Sequence, residues 1–93
     1  MGRRDTIKLG EIMTIKEYIL DCLITDDEAF TEIVEYFKSV IEVDIPACEI
    51  KTILSEMIEE GYVFINNEWK NQYDEYPYSL TEKGKNAWKE IEE

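Results

Sequence analysis

The side chains able to do chemistry here are few and badly assorted for catalysis. The 93-residue chain has no histidine and two cysteines, Cys22 and Cys48. No four-ligand set of Cys and His exists, which argues against a structural zinc site. The lack of imidazole also removes every Ser-His and Cys-His nucleophile pair. Acidic residues number 22 against 10 basic ones, but no pairing of carboxylates marks an acid–base site. The expectation is a non-enzymatic chain with no metal and no cofactor.

What remains is recognition chemistry, in two sets. The first is acidic and aromatic. Glu28, Glu32 and Glu35 share a helical spacing, either as a solvated face or as a surface for a basic partner. Trp69 and Tyr73 stand in a polar stretch where large aromatics gain little from water. They would either contact a protein partner, as interface aromatics do, or pack onto the domain's own helices. The second set is basic and hydroxylic: Lys51, Thr52 and Ser55 close together, Lys70 further on, and Arg3 and Arg4 near the start. These are the groups a nucleic acid would meet. Cys48 reads as an ordinary surface cysteine and Cys22 as part of an apolar stripe.

The elements that must position these residues follow from periodicity and caps. Thr14 and Glu17 form a capping-box pattern, and Ile15, Tyr18, Ile19, Cys22 and Leu23 repeat behind it, predicting a helix over 14–24. A second box pattern, Thr25 with Glu28 and Asp26 as a competing cap, precedes Ala29, Phe30, Ile33, Tyr36, Phe37 and Val40. The prediction is an amphipathic helix over 26–41. Pro46 opens a third, over 46–60, with Ile50, Ile53, Leu54 and Met57 inward and Gly61 past its end. Strands are expected at 62–65 and 76–80, joined by a polar loop into which the pairing extends. Tyr76 and Tyr78 are expected to pack across the strands. Thr81 then caps a short helix with Gly84, Ala87, Trp88 and Ile91 on one side, Trp88 serving the core or a dimer surface.

Two stretches carry a resemblance. ILSEMIEEGYV (53–63) looks like the third helix of winged-helix regulators running into the first wing strand. YSLTEKG (78–84) is similar to the second wing strand and following helix of the MarR and PadR type, and to small prophage-borne winged-helix proteins. The resemblance covers residues 14–92 and implies an α+β winged-helix fold: a three-helix core, a two-stranded β wing and a short final helix. Residues 1–13 would be an N-terminal arm or extension and 14–93 the domain. It further implies a recognition helix presenting Cys48, Lys51, Thr52, Ser55 and Glu59 to DNA, with the wing tip at 66–74.

Charge weighs against that partner. The net charge is −12, and Lys51 has Glu49, Glu56 and Glu59 for neighbours in sequence. The third helix carries no arginine, asparagine or glutamine to read guanine or adenine. For DNA stand the arm and the amides Asn66, Asn67, Asn71 and Gln72. The preferred expectation is therefore a protein-interaction module using Trp69, Tyr73 and the acidic helix surface, with a basic partner and homodimerisation as options. The alternative is a DNA-binding transcriptional regulator acting as a dimer. No apolar run reaches membrane-span length and no signal-peptide pattern opens the chain, so a cytoplasmic setting is expected.

Overall fold

The computed structural model describes residues 14–92. Segment 1–13, with Arg3 and Arg4, lies outside the described residues. Helix α1, Ile15–Thr25, opens on the expected capping box: the Glu17 N–H donates to Thr14 Oγ1 at 3.2 Å, and the Thr14 N–H to Glu17 Oε1 at 2.9 Å.

The second helix starts later than expected. Helix α2 spans Phe30–Tyr36 and continues as a wider π turn over Phe37–Ile41. Thr25 belongs to α1, and residues 26–29 are not helical. Two cap patterns compete here, and tertiary pairing selects the later one. Glu32 Oε1 accepts the Ala29 N–H at 2.8 Å, while the N–H and C=O of Glu28 exchange hydrogen bonds with Tyr78 at 3.3 and 2.8 Å. A helix beginning at 26 would forfeit that bridge. It would also misplace Ala29, which is fully buried.

After residues 42–46, helix α3 spans Ala47–Glu60, close to its predicted limits. Gly61 ends it with φ 88°, a left-handed conformation that costs glycine nothing. Strands β1, Val63–Ile65, and β2, Tyr78–Leu80, pair antiparallel in the register Val63 to Leu80, Phe64 to Ser79, Ile65 to Tyr78. The ladder is shorter than expected at its open end. One more bond, Asn66 N–H to Pro77 O at 2.8 Å, extends it before the loop folds on itself. The cause is local: the side chains of Asn66 and Asn71 accept the N–H groups of Glu68 and Tyr73, forming two Asx turns.

Helix α4, Glu82–Glu92, is capped by Thr81, whose hydroxyl accepts from the Gly84 N–H at 3.0 Å and donates to the Gly61 carbonyl. Trp88 leans on α1 and donates its indole N–H to Asp21 Oδ1 at 3.0 Å. The core gathers Ile19, Leu20 and Leu23 of α1, Ile33 and Phe37 of the second helix, Ile50, Leu54 and Met57 of α3, and Val63, Tyr78 and Leu80 of the hairpin. Cys22 joins it, and burial, then the nearby carboxylates of Glu28, Asp21 and Glu32, push its thiol up to about 12. No helix among the described residues is long and apolar enough to cross a membrane.

Candidate nucleic-acid interface

Burial of Ile50, Leu54 and Met57 fixes which side of α3 faces out. Cys48, Lys51, Thr52, Ser55 and Glu59 are all exposed on that side, as the resemblance implies. Their surroundings differ from a count of neighbours in sequence. Glu56 is turned toward α1, where Lys16 Nζ lies 3.8 Å from it and 3.2 Å from Glu60. Lys51 is placed over the Phe30 ring, 4.7 Å from its centroid, which steadies the ammonium without neutralising it. Thr52, itself exposed, donates its hydroxyl to the Cys48 carbonyl at 3.0 Å.

The loop after β1 is held to the helices by one carboxylate. Glu75 Oε2 accepts the Thr31 hydroxyl at 2.7 Å, and Oε1 accepts the Thr31 N–H and the Asn71 amide, each at 3.2 Å. Thr31 lies in the first turn of α2, so the wing supplies an anion where the helix has unpaired N–H groups. Partial burial would raise the Glu75 carboxyl, but the Thr31 and Asn71 hydrogen bonds and the charge of Lys51 outweigh it and leave it lowered. Asn71 ties the loop together from within: its Oδ1 accepts the Tyr73 and Glu75 N–H groups, and its own N–H donates to the Glu75 carbonyl. Composition marks Asn71 as a turn former. Nothing local marks Glu75 as the cap of a helix 44 residues away.

Lys70 projects from this loop, 3.1 Å from Asp74 and 4.9 Å from the Tyr76 ring centroid. The hydrogen bond and charge of Asp74 raise its pKa, so it stays cationic. Tyr76 is thus exposed beneath a lysine rather than packed across the strands, whereas Tyr78 is buried as expected. Trp69 and Tyr73 are 44% and 54% exposed. Asn66 is engaged with Glu68 and, at 3.4 Å, with Asp27; Asn67 and Gln72 are exposed.

The three glutamates of the acidic stripe have different local surroundings. Glu28 is in the bridge to Tyr78, Glu32 caps α2, and Glu35 alone lies on the outer side of the helix, within 3.2 Å of Ser39 Oγ. Burial raises Glu28 to about 7, helped by the charges of Glu32 and Asp26, a hydrogen bond with Glu32, and Asp27. Near neutral pH it is therefore partly protonated. No group of three residues that could hold a metal ion occurs among the described residues.

Comparison of the sequence with family models and with curated proteins gives no match. Solved structures do match. PadR of Bacillus subtilis, in complex with operator DNA, superposes with a TM-score of 0.71 at 22% identity, over 85% of this chain and 45% of PadR. The adhesin competence repressor AdcR of Streptococcus pyogenes gives 0.67 at 16% identity, over 87% and 55%. ZitR of Lactococcus lactis gives 0.66 at 22%, over 86% and 50%. The chain spans about half the length of these proteins. The expectation of a protein-interaction module is overturned by these matches, which include an operator-bound regulator and a repressor. The arrangement of α1–α4 and the β1–β2 wing is shared with PadR, AdcR and ZitR: this chain has the winged-helix fold.

Proposed function

We propose that this chain is a non-catalytic, cytoplasmic DNA-binding domain of a transcriptional regulator that works as a dimer. The observation that carries the proposal is the exposed outer face of α3 beside a wing fastened by Glu75 to α2. PadR, bound to operator DNA, has the same arrangement of elements. In this reading α3 enters the major groove. Thr52 and Ser55 contact base edges, the Thr52 methyl suits a thymine methyl, and Glu59 can accept from a cytosine amine. Lys51 and Lys70 take phosphates, with Asn67 and Gln72 as further donors. Lys70 exchanges Asp74 for phosphate easily because the pair is solvent-exposed. Arg3 and Arg4 would serve as an arm in the minor groove.

The test is selection of bound sequences from a random duplex library, followed by affinity measurement on the selected site. The expected result is a two-fold-related site with half-sites one helical turn, about 10 base pairs, or a multiple apart. Lys51→Ala and Lys70→Ala should each weaken binding to it. Failure to enrich any sequence, or undiminished binding by both variants, would sink the proposal.

A further inference from the structure

The wing is fixed at its two ends by different means. At the root the ladder closes with the Asn66 N–H on the Pro77 carbonyl, 2.8 Å apart. Near the tip the turn 71–75 is wound on the Asn71 side chain and closed by the Asn71 N–H on the Glu75 carbonyl at 2.9 Å. From this turn the Glu75 carboxylate reaches α2 through the Thr31 hydroxyl and N–H. Among the described residues no other hydrogen bond joins residues 67–76 to a helix.

The two lysines of the proposed interface lie at either end of this latch. Lys70 and Tyr76 flank the turn, with the ammonium 4.9 Å from the ring centroid and 3.1 Å from Asp74. Lys70 therefore moves with the tip. Lys51 stands over the ring of Phe30, the residue before Thr31, 4.7 Å from its centroid. With the latch closed, the two ammonium groups keep one spacing. With it open, the tip would swing on its root, and a duplex would have to order it on binding, which lowers affinity. The charge of Glu75 acts the other way, since an acid beside Lys70 repels a phosphate. An exposed charge is worth no more than about fivefold. A hydrogen bond to a charged group is worth about tenfold or more.

We propose that Glu75 is a positioning residue for DNA: an acid whose removal weakens binding to a polyanion, because its bonds to Thr31 hold Lys70 in register with α3. The inference rests on the DNA-binding reading above and names the residue that sets the geometry of that interface.

The experiment titrates the selected duplex with the full chain and its variants across a salt series, with circular dichroism to show that each variant is folded. Glu75→Ala should bind about tenfold more weakly, and Glu75→Gln should lose less. Thr31→Val removes a latch donor and no charge, and should also weaken binding, by about fivefold. Lys70→Ala, costly in the wild-type chain, should add little to Glu75→Ala. The log–log salt slope of Glu75→Ala should flatten by about 0.9 for each protomer as the Lys70 contact is lost. Loss of a repelling acid alone would not flatten it. Equal or tighter binding by Glu75→Ala and Glu75→Gln overturns the inference. So does undiminished binding by Thr31→Val, or an equal cost of Lys70→Ala in both backgrounds. In each of these cases wild-type binding leaves the DNA-binding reading in place. A wild-type chain that binds no duplex sinks that reading, and this inference with it.

Discussion

Glu75 and Thr31 are far apart in sequence, and their contact decides where the wing sits. Glu75→Ala should cost about 1 kcal/mol in urea unfolding, since it strips a charged acceptor from a helix N-terminus. It should also broaden the amide resonances of residues 66–77. Glu75→Gln keeps one carbonyl acceptor and should lose less. Because this carboxyl is lowered in the fold, its contribution is present at neutral pH and is lost as pH falls below the usual carboxylate range. Glu28 has the opposite sign. Its folded pKa of about 7 lies above the ordinary 4.5, so between those values the folded chain holds a proton that the unfolded chain releases. Stability should therefore fall as pH rises through that window. Glu28→Gln should shrink the difference in Tm between acidic and neutral buffer, measured by circular dichroism; an unchanged difference would contradict a Glu28 carboxyl raised by burial and its acidic neighbours. These roles explain what the sequence misjudged at this scale. In the net charge of the chain Glu28, Glu56 and Glu75 count as three equal negative charges. In space one is partly protonated, one faces Lys16, and one caps a helix.

At the scale of elements, local signals reached a long way. The capping box at Thr14, the glycine after α3 and Thr81 before α4 all mark boundaries the structure keeps. The failures came where a distant partner chose between local options. The start of α2 is settled by pairing of Glu28 with Tyr78, 50 positions along the chain by number, and no periodicity carries that information. The wing is a similar case, since the length of the loop suggested more strand than two Asx turns allow. Packing of α4 rests on a feature legible only as a glycine in an apolar stripe. A Cβ at Gly84 would collide with the Tyr62 carbonyl oxygen, which accepts the Thr81 N–H. Gly84→Ala should therefore separate α4 from the hairpin and destabilise the fold by about 1–3 kcal/mol, the range for overpacked sites. The usual gain in helix propensity from alanine should not rescue it, as thermal unfolding would show.

For the whole molecule the proposed function asks how a chain of net charge −12 would approach DNA. The answer lies in distance. At physiological salt charges act over about 8 Å, so the outer face of α3 and the wing matter more than the total. Lys51 and Lys70 are exposed on these elements, and Glu56 and Glu60 are drawn off toward Lys16. At very low salt the range grows to about 30 Å and the entire acidic surface repels the duplex. Net charge read from composition carries no directions, so for the proposed interface the charges near it count for more.

The most direct test is fluorescence anisotropy of a labelled, selected duplex titrated with the full chain across a salt series. The account predicts saturable binding that weakens with salt. Two lysine contacts from each protomer of a dimer give a log–log slope of about −4 or shallower. The combined Lys51→Ala and Lys70→Ala variant should flatten that slope while leaving the fold unchanged by circular dichroism. No saturable binding at any salt concentration would contradict the account, as would a slope that the two substitutions leave in place.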